Sequence, residues 1–90
     1  MADSSGALPE LTFEHFLMSL ATAALVHLGQ VPHPETNKKE VDLVQAKQNI
    51  DILGMLHDKT KGNLTDGERT ILEGALAQLR ISYVSLASSP

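Results

Sequence analysis

Apolar residues in this chain recur at three- and four-residue spacing in three separate segments, and each segment reads as a helix. In the first, Phe13, Leu17, Leu20, Ala24 and Leu28 fall on one stripe and Phe16, Ala23 and His27 on another, while Met18 and Leu25 point elsewhere. The spacing predicts a helix over about 13–28 that is apolar nearly all round, a pattern that goes with burial on several sides. In the second, over about 43–61, Leu43, Ala46, Ile50, Leu53 and His57 form the stripe. Ile52, Met55 and Leu56 widen its expected buried face toward the C-terminal end. The third, over about 66–86, carries Leu72, Ala75, Leu76, Leu79, Tyr83 and Leu86. Alternating β-branched runs are missing, so the expected fold class is all-α. The short Gly62-Asn63-Leu64 link predicts an antiparallel hairpin of the second and third helices.

The helix ends carry their own signals. Thr12 is placed to cap the first helix, with Glu14 in its first turn, and Gly29 suits a left-handed residue after its end. Asp42 fits the second N-cap, with Gln45 placed to complete a capping box and Val41 and Ala46 as a weak staple. Lys59 and Lys61 suit that helix's negative end, and Gly62 stops it. Thr65-Asp66-Gly67-Glu68 reads as a capping box for the third. Lys47 with Asp51, and Arg69 with Glu73, are spaced for pairing along a helix face. Between the first two helices lie about 13 residues, Gly29 to Val41, where Pro32 and Pro34 forbid helix and Pro34-Glu35-Thr36-Asn37 reads as a turn. This is long for a link in a small bundle, so Pro32, His33, Pro34 and Glu35 are candidates for a loop shown to another protein. The organisation expected is one helical domain over 12–86 between flexible tails at 1–11 and 87–90.

Length sharpens the question of what covers the first helix. A chain of 90 residues makes one domain, and one so short buries only about 60% of the surface its unfolded form exposes. Disulfides are excluded, because there is no cysteine, and a partner chain is the simplest remaining staple. Absence of cysteine also suits a reducing, cytoplasmic setting, and no basic residue precedes the apolar stretch as a secretory leader would require. The net charge of −4, with seven Lys and Arg, argues against general nucleic-acid binding and against docking on anionic membrane. Phe16 to Leu28 is about 13 residues, whereas a bilayer span takes about 20.

Five stretches together resemble a bacterial family known as domain of unknown function 1844: LATAALVHLG (20–29), PETNKKEVDL (34–43), AKQNIDILGML (46–56), KTKGNLT (59–65) and LRISYV (79–84). The resemblance covers about four-fifths of the chain in the family's order and implies no activity. The chain departs from the family's pattern at His33, where the family tends to carry Asp, and at Gly54, where it tends to carry an acid.

Candidate chemistry is sparse. None of the four histidines, His15, His27, His33 and His57, pairs with another at i,i+4; His27 and His57 would meet only if the first two helices brought them together. No metal or cofactor is expected. His57, on the apolar stripe near a helix C-terminus, is the one candidate for a pH-sensitive contact. Asp51 and Asp58 read as a solvated face rather than a catalytic pair, so no enzyme is expected. The leading expectation is a non-enzymatic oligomerisation or protein-interaction module, with a dimer favoured, that completes its core by self-association. Its expected interface is Phe13, Phe16, Leu17, Leu20, Ala23, Ala24 and Tyr83. Two alternatives stand beside it: a peripheral membrane protein using the apolar helix 13–28, and an adaptor that folds fully only with a different protein.

Overall fold

The computed structural model describes residues 10–88. Three helices form in the expected places: α1 (Phe13–His27), α2 (Leu43–Lys59) and α3 (Asp66–Ala87). Most of the segments expected as tails, residues 1–9 and 89–90, lie outside the described residues; α3 itself continues through Ala87 and is capped by Ser88.

Each start is set by a side chain that accepts an orphan backbone N–H. Thr12 Oγ1 accepts from His15 N–H at 3.1 Å, and Asp42 Oδ1 accepts from Gln45 N–H at 3.1 Å. At α3 the box closes in both directions: Glu68 N–H donates to Thr65 Oγ1 at 3.1 Å, and Thr65 N–H donates to Glu68 Oε1 at 2.9 Å. Replacing Thr65 with Ala should cost about 1 kcal/mol and speed hydrogen exchange in the first turn of α3; unchanged exchange there would show that the cap carries no stability. The box expected at α2 forms only by half. Asp42 N–H does not return to Gln45, because it donates to His27 O at 2.7 Å.

That bond belongs to the closure of the long connection. Leu28 and Val41 form an isolated antiparallel bridge, so the segment leaves α1 and returns to the same place before α2 begins. Its tip is a small ring of backbone bonds, with His33 N–H donating to Lys38 O (2.9 Å) and Asn37 N–H to His33 O (2.7 Å). Asn37 takes φ 57° there, a geometry asparagine tolerates. Gly29 turns the chain out of α1 at φ 76°, and a Cβ added there would stand 2.8 Å from Val41 Cγ2. A Gly29→Ala substitution therefore meets backbone strain and a clash together. It should cost more than about 1 kcal/mol in a denaturant titration; a neutral result would mean that the bridge is dispensable.

Leu17, Ala21, Ala24 and Leu28 of the α1 side, Ala46, Ile50 and Leu53 of α2, and Leu72, Leu76 and Leu79 of α3 make one buried core. All three helices touch one another. The start of α1 lies by the start of α3, since a Cβ on Gly67 would come within 3.3 Å of Glu14 Oε2. At the other end, Gln30 Nε2 donates to the buried Ser82 Oγ at 3.0 Å. His57 near the end of α2 meets Glu73 near the start of α3, with Nε2 and Oε2 3.0 Å apart.

Sequence periodicity misjudged several faces. Ile52 and Met55, expected to broaden the buried side of α2, are 37% and 58% exposed. Ala21 and Ser82, absent from the expected stripes, are buried. Arg69 pairs with Asp66 (2.9 Å) rather than Glu73, because Glu73 is engaged across the helix interface by His57. Lys47 does pair with Asp51, at 2.8 Å.

Candidate functional site: a partly covered apolar stripe on α1 and α2

The molecule is only 16 Å deep along its shortest axis. Two packed helices, with axes about 8–10 Å apart and a backbone radius of about 2.3 Å each, account for that depth. Every helix therefore keeps a side with no protein over it, and what those sides carry is informative.

On α1 the buried positions Leu17, Ala21 and Ala24 face inward. Turning about 100° per residue from them, Phe13, Leu20, Ala23 and Phe16 fall on one flank. Phe13, Leu20 and Ala23 are half-buried and Phe16 is 40% exposed. The two phenyl rings lie 6.3 Å apart at 46°, a tilted contact in the favourable range for aromatic pairs. Asn49 Nδ2 reaches Leu20 O at 3.5 Å, which sets this flank of α1 beside α2. On α2, Ile52 and Leu56 follow Asn49 by three and seven residues on the same side. The Leu28–Val41 bridge pairs the end of α1 with the start of α2, so the rows Leu20, Phe16, Phe13 and Asn49, Ile52, Leu56 run alongside each other. The result is an apolar stripe interrupted by the Asn49 amide, with Phe16 and Ile52 as its most exposed large members and no ionised side chain among its members.

Four of the seven residues expected at an interface, Phe13, Phe16, Leu20 and Ala23, are thus brought together. Leu17 and Ala24 are not available: at 1% and 0% exposure they are covered by the chain's own helices. Tyr83 is separated from the stripe. It packs half-buried against the core in a groove between α2 and α3, with Lys47, Ile50, Asp51, Arg80 and Val84. Its distance from Phe13 follows from the pairing of helix ends, because Tyr83 adjoins Ser82 at the Gln30 end of the molecule while Phe13 adjoins the other.

The expected partner loop is ordered by its own bonds. Pro32, Pro34 and Glu35 are exposed, while His33 is half-buried and its Nδ1 accepts from Glu35 N–H at 3.1 Å. His33 is therefore committed to holding the turn. His27 and His57 do not meet: His27 sits at the α1 end where Asp42 binds its carbonyl, and His57 sits at the far end of α2 against Glu73. Among the described residues, no three of His, Cys, Asp and Glu are grouped so as to hold a metal ion. No described helix is long and apolar enough to cross a membrane. Lys47 is pushed above its ordinary 10.5 by its hydrogen bond to the exposed Asp51.

Sequence reasoning missed three features that the fold creates. Gln30 and Ser82 meet across 52 residues, although Ser82, three residues after Leu79 in an apolar stripe, was a legible sign of a polar contact. Ile52 joins the α1 flank only through the register of α2. The groove beside Arg80 depends on Gly54, whose missing side chain leaves room for the guanidinium, Nη2 lying 3.1 Å from where a Cβ would stand.

Residues 10–85 match the family described as "Domain of unknown function (DUF1844)". Comparison with curated proteins and with solved structures gave no match.

Proposed function

This chain belongs to the domain of unknown function 1844 family, and we propose that it is a non-enzymatic helical module that self-associates through the α1–α2 stripe. The observation that carries this reading is the run of half-buried Phe13, Leu20, Ala23 and Leu56 around the exposed Phe16 and Ile52, only partly covered on a molecule 16 Å deep. A second copy of the chain fits it for two reasons. A twofold interface sets a patch against its own image, so a charged patch would repel itself; this one carries no ionised side chain. The stripe is also graded in size, from the two phenyl groups to Leu20 to Ala23. Two such stripes crossing in opposite directions set the large end of one against the small end of the other, and the volumes interdigitate.

Association buries Phe16 and Ile52 and completes the core that 90 residues leave partly open. The functional product is a stable surface made of two chains, with the two proline-bearing connections displayed outside the interface. Nuclear Overhauser contacts between isotopically labelled and unlabelled copies test this reading. Contacts from the Phe16 ring to Leu20 and Ala23 methyl groups of the other copy are expected. An interface mapped elsewhere, or no intermolecular contact in a folded sample, would contradict it.

A further inference from the structure

On the opposite flank of α2 from the stripe lies the groove between α2 and α3 that holds Tyr83. It is lined by Lys47, Ile50, Asp51, Arg80, Tyr83 and Val84 and has a volume of about 140 Å³. A cavity of about 150 Å³ holds a group the size of benzene, whereas sites for larger ligands start near 300 Å³. Whatever this groove takes is therefore small.

Its charges are unequal. Lys47 and Asp51 satisfy each other at 2.8 Å. Arg80 has no carboxylate within ion-pair distance among the described residues. The groove thus carries two cations and one anion, and one added negative charge balances it. The position of the unpaired guanidinium is set by Gly54, which stands in the interior of α2. Glycine costs a helix interior about 1 kcal/mol relative to alanine. Here its bare backbone lets Arg80 lie close over α2. A guanidinium is a planar fork of donors that matches a carboxylate in two parallel bonds. The groove wall beside it is apolar, formed by Ile50, which is 6% exposed, and Val84, which is 60% exposed.

We propose that this groove is a binding site for a small carboxylate bearing a short apolar tail. Arg80 holds the carboxylate, and Ile50, Val84 and the Tyr83 ring take the tail. Lys47 and Asp51 close the rim as a neutral pair. The site is independent of self-association, because it lies on the other side of α2 and uses none of the stripe residues.

Titration of the full-length protein with hexanoate, followed by the Arg80 Nε–Hε resonance and the backbone amides, tests this. Hexanamide, of the same shape without the charge, and hexylammonium, of opposite charge, are the companion probes. Saturable shifts with hexanoate confined to Arg80, Ile50, Tyr83 and Val84 are expected, with hexanamide at least about tenfold weaker and hexylammonium without effect. Arg80→Gln should weaken hexanoate at least about tenfold while the helical circular dichroism is unchanged. Gly54→Glu should abolish binding, because its side chain takes the room the guanidinium uses and its carboxylate pairs with the displaced Arg80, and should keep the fold. Equal binding of hexanoate and hexanamide, hexanoate binding that survives either substitution, or no saturable shift at all would overturn the proposal.

Discussion

Replacing Leu53 with alanine is expected to lower stability by about 2–5 kcal/mol. Leu53 is fully buried in the middle of α2, in the core shared with Leu17, Leu72 and Leu76. The loss combines the transfer energy of the removed carbons with the cavity they leave, and a core built by three helices two layers deep has few neighbours that can collapse into it. For a domain of this size, 1 kcal/mol moves the melting midpoint by about 4–8 °C, so the drop should be about 8–40 °C. Val44→Ala on the same helix is the control. Val44 is 71% exposed, and its truncation should stay within about 0.5 kcal/mol. Equal costs at the two positions in thermal or urea unfolding would mean that α2 buries a different face.

The second large effect concerns association rather than folding. Phe16→Glu places a carboxylate at the most exposed aromatic of the stripe. In the twofold interface each introduced charge is desolvated against the apolar Leu20 and Ala23 of the other copy, with no partner to offset it. At an interface hot spot, the role proposed for Phe16, disruption costs about 2–4 kcal/mol, which raises the dissociation constant by about 30- to 1,000-fold. Because Phe16 is 40% exposed in the single chain, the monomer that results should remain helical. The neighbouring Leu17→Glu change should behave differently. Leu17 is 1% exposed, so a carboxylate there is buried without a partner and the chain should unfold. Sedimentation of the two variants beside their circular dichroism separates the cases. A Phe16→Glu protein that keeps the wild-type mass would remove the stripe from consideration.

The sequence made some of this legible and not the rest, for physical reasons. Helix ends were readable because caps are local: Thr12, Asp42, Gly29, Asn37 and the Thr65–Glu68 box act within a few residues of themselves. Faces were less readable, because period alone cannot rank two apolar stripes on one helix. On α1 both flanks are apolar, and the choice of Leu17, Ala21 and Ala24 for the core was made by where α2 and α3 pack. The same competition exposes Ile52 and Met55 on α2. Contacts between helices were the least readable. His57 with Glu73, Gln30 with Ser82, and Arg80 over Gly54 join residues whose spacing in sequence carries no periodic signal. Of the interface expected from sequence, the α1 flank is assembled by the fold, while Leu17 and Ala24 are consumed by the core and Tyr83 is placed in the α2–α3 groove.

Self-association is tested most directly by absolute mass in solution, from light scattering after size exclusion over a hundredfold range of concentration. The expected result is twice the chain's 9.7 kDa at high concentration, falling toward the single-chain mass on dilution or in Phe16→Glu. A well-folded species of single-chain mass at every concentration would contradict it, and would mean that the α1–α2 stripe is left for a different protein.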